Sequence, residues 1–513
     1  MGFFDTGRLM IVSDLVPTGD IAKDKLIIPR IIQSAMATHE QNVAAMDKLF
    51  GYMHNVTNVL RKEKVQQPDI NNKISINYPY IAVTTINAYC FANAPTFSCR
   101  KADEATQNKL KLFNDALDDD SYSRKLMKCT YNSGVCGLGY KYARPATRDE
   151  IKQGIYFRTV GDLDPRNTFV VRANNLDKDK VMAVNYYDRA EYDKNYRVVR
   201  KNRVYNVWTK YHQWVFSPKY GKLTNEKFTV DGREFEAYPL AYKRIPIVEY
   251  PRKQDRTSDF EMGIDLIDAI NMLASNRLDD VEQAVDYLIT MRDIDLEGDN
   301  LEKALMAIKQ RIINFRSVQN ATVQPEIKVL NTALNQSEVQ TLQDFYCAKL
   351  EEVLNIPNRE TRSSGGDTGS AVESRNGFRS LENIAGIVTA STFEAENEML
   401  DLILAICNNI SSCPFAGLTV NDIEIKENRN KVENLESATN AYSTMKSAGM
   451  NDEDAIRISR LDPDASTVAK RNQMAQEEQV AKENEVARET VTATATQEQA
   501  VENKSGISDT QKS

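Results

Sequence analysis

The chain has 513 residues, of which 41% are hydrophobic, and this length predicts about three domains with buried cores. Its 65 Lys and Arg against 73 Asp and Glu give a net charge of -8, which argues against a protein that grips nucleic acid over its whole surface. With three scattered histidines and seven cysteines that form no Cys-x-x-Cys pair, we expect no metal site, no cofactor and reduced thiols.

The N-terminal part of the chain predicts an irregular arm followed by helices. Residues 1–37 mix apolar and polar stretches around Pro17 and Pro29, and proline interrupts helices. Further on, apolar residues recur every three or four positions. Helices are therefore predicted over Thr38–Lys62, over Ile74–Phe91 and from Asp103 to about Tyr131, the last interrupted at Asp118–Asp120.

The residue pattern changes between Gly139 and Pro251, where short runs rich in Val, Tyr, Phe and Thr are separated by Asp, Asn, Gly and Pro. Runs of this length and spacing predict an antiparallel meander. The predicted strands are Gly154–Val160, Thr168–Arg172, Val181–Asp188, Arg197–Lys210 and Gln213–Ser217.

Two long helices are predicted next, separated by a compact insert. The first runs from Phe260 to about Leu288, and Ser258 with Glu261 has the spacing of a capping box before it. The second runs over Ser337–Leu354 and ends at Pro357. The insert between Ile289 and Leu330 is predicted to hold a strand, a turn at Gly298, a helix near Leu301–Lys309, and strands at Arg311–Arg316 and Glu326–Leu330.

A polar, glycine-rich segment, Asn358–Ser370, follows the second helix. Loops of this length are uncommon in compact domains unless they are functional or disordered. A third long helix is predicted over about Ala371–Ile410, with a kink at Gly377 or Gly386, and then a strand and two short helices over 418–460. Beyond about Lys470 the composition predicts a mobile or partly helical tail.

No enzymatic motif stands out. The sequence contains no P-loop and no Gly-x-Ser-x-Gly or His-Glu-x-x-His motif. Gly134, Gly137 and Gly139 precede a strand, whereas a phosphate-binding loop opens a helix. Asp293 begins an apparent calcium loop whose twelfth position is Ala304 instead of Glu, so a solvated turn is expected. We interpret the many helix carboxylates as solvated faces or inter-subunit pairs.

Four segments, in this order along the chain, resemble the portal proteins of tailed bacteriophages, specifically the portal family of long-tailed phages of Gram-positive bacteria. They are Asn72–Pro95, Ile245–Asn271, Asp367–Arg375 and Asn434–Ile458. The second segment gives the strongest match. It contains, in order, Pro-Ile-Val-Glu-Tyr, Ser-Asp-Phe-Glu and Leu-Ile-Asp-Ala-x-Asn. The resemblance covers about residues 40–470.

This resemblance implies a mixed α+β portal fold. Its expected parts are an N-terminal arm (1–37), a wing of helices and an antiparallel β-meander (38–257), stem helices (258–288 and 331–357), a small α/β clip (289–330), a tunnel loop region (358–370), a long helix (371–417), a helical crown (418–470) and a mobile tail (471–513).

The resemblance also implies a non-enzymatic function in the virion. The expected protein is a homo-dodecameric ring at a capsid vertex, assembled in the host cytoplasm. Double-stranded DNA is packaged through it by a motor containing the large terminase subunit, and is later ejected. The further expected partners are the major capsid and scaffolding proteins and a head–tail adaptor that joins the tail.

Weak, non-specific DNA contact is expected around the tunnel loop, because a conduit must not hold phosphates tightly. The candidate residues are Arg359, Arg362, Ser363, Ser364, Gly365, Gly366, Arg375 and Arg379. The alternative is that these arginines pair with neighbouring subunits. Two other functions stay open: an oligomeric virion or scaffold protein without DNA passage, and an enzyme such as a nuclease with an unrecognised carboxylate site.

Overall fold

The computed structural model describes residues 7–64, 68–100, 103–230, 232–285, 288–292, 302, 326–330, 336–357, 378–430, 435–459, 461, 465 and 468–482. The chain divides into two compact units. The first comprises Met1–Asn87, Arg124–Pro145 and Phe157–Ile403, and the second comprises Ala88–Ser123, Ala146–Tyr156 and Leu404–Ser513.

The described residues contain both helices and strands, and most of the strands follow one another without a helix between them. This arrangement confirms the mixed α+β class. The helices are α1 (Ile21–Met53), α2 (Tyr78–Phe91), α3 (Glu104–Asp119), α4 (Tyr122–Cys136), α5 (Arg148–Lys152), α6 (Ile264–Val285), α7 (Gln336–Leu354), α8 (Phe378–Asn408), α9 (Leu435–Ser447) and α10 (Asp452–Ser459). The strands are β1 (Val12–Ser13), β2 (Thr96–Cys99), β3 (Leu138–Pro145), β4 (Phe157–Leu163), β5 (Thr168–Ala173), β6 (Lys180–Tyr192), β7 (Val198–Thr209), β8 (His212–Lys219), β9 (Lys222–Glu226), β10 (Phe228–Val230), β11 (Arg233–Phe235), β12 (Tyr238–Pro239), β13 (Ile247–Pro251), β14 (Leu288–Arg292), β15 (Glu326–Leu330) and β16 (Ile423–Lys426).

The predicted meander is the main sheet of the first unit. Its strands follow the order β1-β5-β6-β7-β8-β12, and β9 pairs with β8. Strands β5 to β9 are each antiparallel to the next, whereas β1 joins β5 in parallel. The predicted strand Gly154–Val160 is the exception. It corresponds to β4, which lies in a separate sheet of order β13-β3-β4.

Helix α1 corrects the prediction of an irregular N-terminal arm, which is wrong from Ile21 onward. Asp20 caps the helix by accepting from the N–H groups of Ala22 and Lys23, and the helix continues through Pro29. A proline inside a helix costs about 3 kcal/mol. This cost is offset because one face of α1 is buried against β5, β6, β7 and β8, through Ile28, Ile31, Ile32, Ala35 and Met36.

The second unit contains α3 and a two-stranded sheet of β2 and β16. The predicted interruption at Asp118–Asp120 is confirmed, since α3 ends there and Ser121 has a φ of 54° before α4 begins. The strand and two short helices predicted over 418–460 are confirmed as β16, α9 and α10. Residues 468–482 are helical, and the rest of the predicted tail lies outside the described residues.

The long helices of the first unit agree with the sequence except at their ends. Helix α6 begins at Ile264 after a 3₁₀ turn, Glu261–Gly263, and ends before β14, which contains Leu288. Helix α7 confirms the second prediction, and the described part of the third helix is α8, which passes unbroken through Gly386. Strands β14 and β15 confirm the first and last strands of the insert. Its other predicted elements and the calcium-loop lookalike lie, apart from residue 302, outside the described residues.

Candidate functional site: the anchored helix pair

The N-terminal segment and a capping interaction fix the start of α6. The carboxylate of Glu261 accepts hydrogen bonds from the Ser258 N–H (3.0 Å), the Gly7 N–H (3.3 Å) and the Arg8 guanidinium. Only half of the predicted capping box forms in its expected way, because the Ser258 hydroxyl donates to the Gly134 carbonyl (3.0 Å). The first turn before α6 is therefore bound to two distant segments of the chain.

A fully buried ion pair lies just before this turn. Arg252 donates to both carboxylate oxygens of Asp259, through Nε (2.9 Å) and Nη2 (2.7 Å), and neither side chain is exposed. The remaining Nη1 donates to the Thr130 carbonyl (3.3 Å) and to Asn87 (3.4 Å). Such a bidentate pair is geometrically specific, so it sets the direction in which the chain enters α6.

The glycine cluster near residue 134 is explained by close backbone packing. A Cβ on Gly134 would lie 2.8 Å from Asp259 Oδ2, and one on Gly137 would lie 2.0 Å from the Arg256 carbonyl oxygen. Gly137 also has a φ of +86°, which favours glycine. These glycines therefore let the segment that contains the buried ion pair pack against the end of α4.

A polar ladder connects α6 to the segment before α2. The Asn72 N–H donates to Asp279 Oδ1 (2.7 Å), the Ile74 N–H to Ser275 Oγ (2.9 Å) and the Ile76 N–H to Asn271 Oδ1 (2.9 Å). The donors alternate as in an extended chain, and the acceptors are four apart, on one helix face. Four helical residues advance about 6 Å and two extended residues about 6.6 Å, so the two spacings match closely.

The ladder corrects the prediction that the second helix begins at Ile74. Residues 71–77 are not helical, and α2 begins at Tyr78. Residues 75 and 77, which alternate with the ladder donors, contact the end of α1. There Ser75 Oγ donates to Asn55 (2.8 Å) and Asn77 donates to the Met53 carbonyl (3.0 Å). The alternating polar and apolar residues of Asn72–Asn77 were the available signal for an extended segment.

Two α6 carboxylates that sequence analysis assigned to solvated faces or inter-subunit pairs are structural acceptors. Burial would raise the pKa of Asp279, but hydrogen bonds from the Lys62 ammonium (2.6 Å) and from Asn72 outweigh it and lower the pKa to about 2. Asp268 accepts from the Tyr52 hydroxyl (2.8 Å) and from Asn58 (2.6 Å). These contacts hold α6 along about three of its turns.

Helix α7 packs closely against the start of α6. A Cβ on Gly263 would lie 2.8 Å from both Leu350 and Leu354, two side chains that are buried. Farther along, Arg277 on α6 donates to Gln343 on α7 (3.3 Å). The other ends of the two helices lead into β14 and β15, which pair antiparallel. In the chain order, α6 is therefore followed and α7 preceded by one strand of the same antiparallel pair.

A second buried ion pair fixes α8 to the β13-β3-β4 sheet. Lys141 on β3 donates to Glu396 on α8 (2.9 Å), and both side chains are fully buried. The Tyr250 hydroxyl on β13 donates to the same carboxylate oxygen (2.6 Å). Helices α7 and α8, which flank the predicted loop, thus each pack onto the rest of the first unit.

The loop candidates themselves are mostly outside the described residues. Arg379 is described and lies exposed in the first turn of α8, where it makes no ion pair with the described residues. The grouping of these candidates at one loop therefore stays a prediction. The undescribed ones are Arg359, Arg362, Ser363, Ser364, Gly365, Gly366 and Arg375.

Three general features of the described residues bear on function. They contain no group of three or more His, Cys, Asp or Glu placed to hold a metal ion. No helix among them is both long and apolar enough to cross a bilayer. None of the seven cysteines, all of which are described, forms a disulfide.

Comparison with known proteins identifies the family. Residues 33–483 match the family described as phage portal protein, SPP1 Gp6-like. No curated protein sequence matches the chain. Among solved structures, a chain from the "Neck of empty GTA particle computed with C6 symmetry" is similar over 75% of this chain and 90% of its own, with 12% identity and a TM-score of 0.38.

The family match covers most of the chain, so the protein is a phage portal protein, a member of a structural family and a component of the virion. Within that class it belongs to the SPP1 Gp6-like family. The resemblance noted in the sequence is thereby confirmed.

Proposed function

We propose that the chain assembles into a dodecameric ring at a capsid vertex, through which the terminase motor packages double-stranded DNA and the DNA is later ejected. The observation that carries this proposal is the anchored helix pair. Helix α6 is held by polar contacts before its first turn and along the ladder, and α7 packs against it. Both helices nevertheless expose apolar side chains along their length, namely Met272, Leu278, Val281, Leu342, Phe345 and Val353.

A cyclic assembly gives these side chains a partner. In a ring, each subunit presents one face to the next and the heterologous contacts close on themselves. Exposed apolar side chains on paired helices suit such a contact, because covering them removes apolar area from water. The proposed stem therefore comprises residues 258–288 and 331–357, which enclose a clip at 289–330.

The remaining assignments follow the family order. We assign 1–37 to the arm, 38–257 to the wing, 358–370 to the tunnel loop region, 371–417 to the long helix, 418–470 to the crown and 471–513 to the tail. The clip is proposed to meet the large terminase subunit during packaging and the head–tail adaptor afterwards. The outer surface is proposed to meet the major capsid and scaffolding proteins during assembly in the host cytoplasm.

Electron microscopy of the purified protein tests this proposal. We expect class averages of rings with twelve or thirteen subunits around a channel that admits a B-form duplex. A monomer, a dimer or a solid assembly would contradict the conduit and favour a scaffold protein without DNA passage. Metal-dependent DNA cleavage by the purified protein would instead support an enzyme.

The loop arginines are testable within the same assembly. Replacing Arg359, Arg362, Arg375 and Arg379 by Gln should weaken the salt-dependent binding of duplex DNA to rings, since each lost phosphate contact lowers the salt slope by about 1. Arg30→Gln, an exposed change on α1, is the matched control. If ring formation falls and DNA binding does not, the arginines pair with neighbouring subunits.

A further inference from the structure

Strands β6 and β7 extend beyond the sheet as a two-stranded ribbon, residues 187–203. The pairing of β5 with β6 reaches only Asn185, and that of β8 with β7 begins only at Tyr205. The pairing of β6 with β7 continues to Tyr192 opposite Val198. The outer part spans about 20 Å and has no neighbouring strand among the described residues.

The base of the ribbon is held by its own chain. The guanidinium of Arg203 lies 4.8 Å from the ring centre of Tyr186, and Arg189 donates to both carboxylate oxygens of Glu226 on β9 (3.1 and 3.0 Å). The ribbon is thus a defined projection at its base, and its outer part must be explained separately.

The tip holds a tyrosine in a conformation that tyrosine seldom adopts. Asp193 Oδ1 accepts from the N–H groups of Asn195 (2.7 Å) and Arg197 (2.9 Å), which closes the turn. Tyr196 has a φ of 58° and is 88% exposed. Glycine or asparagine adopts this region more readily, so neither packing within the described chain nor turn geometry accounts for the tyrosine.

Both faces of the ribbon expose apolar side chains. Tyr187 and Tyr192 on β6 are both exposed, and residues an odd number of positions apart on a strand point to opposite faces. Val198 and Val199 on β7 are exposed as well, at the shift in pairing register opposite Glu191 and Tyr192. A long exposed ribbon with free edges is a template for contact with another chain, and tyrosine is enriched in protein interfaces.

Charge indicates which chain it contacts. The ribbon contains six basic and three acidic residues, whereas the whole chain carries a net charge of -8. The surface outside the ribbon is therefore acidic overall, and it complements the ribbon. In a closed ring every subunit has a neighbouring copy, and that copy is a partner that offers such an acidic surface.

We propose that the ribbon tip, centred on Tyr196, docks onto an acidic surface of a neighbouring copy of this chain and stabilises the ring. This inference rests on the ring of the proposed function. Tyr196 and the two valines supply the buried contact, and the basic residues Arg197, Arg200 and Lys201 orient it.

The test is Tyr196→Asn, measured as the fraction of rings against protein concentration by analytical ultracentrifugation and electron microscopy. Asparagine suits the turn, so we expect no loss of thermal stability below the assembly concentration, together with at least a tenfold rise in the concentration for half-assembly. The matched control is Leu176→Asn at the β5–β6 turn, the opposite end of the sheet, where the side chain is 97% exposed. It should assemble like the wild type.

Each result decides the question. Wild-type rings with unchanged assembly of Tyr196→Asn would overturn the inference and leave the proposed function intact. Normal rings that fail to enter capsids or that lose duplex DNA binding would assign the tip to another partner, which also overturns it. Absence of wild-type rings would refute both proposals. A second variant, Arg197→Glu with Arg200→Glu, should impair assembly further, most strongly at low salt.

Discussion

Two antiparallel pairs in the first unit, α6–α7 and β6–β7, differ in which of their groups are buried. The base of the α6–α7 pair buries an ion pair and a ladder of hydrogen bonds, all supplied by the chain itself. The β6–β7 ribbon leaves tyrosines, valines and strand edges in solvent. The first arrangement is complete in the monomer, whereas the second gains contacts only by association. Substitutions should therefore affect folding at the first and assembly at the second.

The largest effect on folding is expected for Arg252→Ala. Removing one partner leaves Asp259 buried without its counter-charge, which should lower the free energy of unfolding by about 3–5 kcal/mol. Urea unfolding of the unassembled protein measures it. The double variant Arg252→Met with Asp259→Leu should recover most of the loss, and equal losses in the single and double variants would contradict the assigned pair.

Substitutions of Gly137 and Gly154 distinguish the cost of a steric clash from the cost of a positive φ. Gly137→Ala should cost about 2–4 kcal/mol, because the added Cβ meets the Arg256 carbonyl and the backbone has a positive φ. Gly154→Ala has a similar φ of +83° with no atom within 4 Å of its Cβ, so it should cost only about 1–2 kcal/mol. Equal thermal shifts in the two variants would rule out the close approach.

The ladder predicts a pH dependence of stability. The folded pKa of Asp279, about 2, lies below its ordinary value of 3.8. Its stabilisation is therefore complete above pH 3.8 and is lost as the pH falls through 2. Asp279→Asn should cost about 1–2 kcal/mol at pH 7, and progressively less below pH 4 in thermal unfolding.

The neighbouring residue provides the control for the ladder. Asp280 is exposed, so Asp280→Asn should change the free energy of unfolding by less than about 0.5 kcal/mol. A cost for Asp279→Asn that stays constant between pH 7 and pH 2 would mean that the charge of Asp279 does not stabilise the fold.

The smallest effect on folding is expected on the ribbon. Val199→Ser should alter the free energy of unfolding by less than about 0.5 kcal/mol, because Val199 is 69% exposed. Val207 lies on the same strand but is fully buried. Val207→Ser should cost about 2–3 kcal/mol. A comparable loss at both valines, measured by urea unfolding, would show that the ribbon folds back onto its own chain.

Much of the fold was readable from the sequence because the local signals agree with the tertiary structure. The β-branched and aromatic runs of β5 to β8 alternate with turn residues. The capping-box spacing of Ser258 and Glu261 indicated the start of α6, and Pro357 indicated the end of α7. Pro29 misled the prediction because burial of the α1 face outweighs the proline penalty. In that case, the deciding energy comes from strands far away in the sequence.

The candidate site was less predictable for the same reason. The acceptors of the ladder lie about two hundred residues from their donors, so no window of sequence contains both. The glycines at 134 and 137 were noted in the sequence. The segment whose close approach requires them lies more than a hundred residues later in the chain. The predicted loop arginines come from family order, and only Arg379 lies among the described residues.

The repeat distances on the two sides of the ladder differ slightly. Each successive hydrogen bond adds a mismatch of about 0.6 Å between the helix and the extended segment, so the pairing stays in register for only a few hydrogen bonds. One turn before Asn271 the helix presents Ile267, which is buried and offers no acceptor. The next N–H in the series, that of Tyr78, bonds to the Ile76 carbonyl instead (3.0 Å). The sequence of α6 thereby determines where α2 starts.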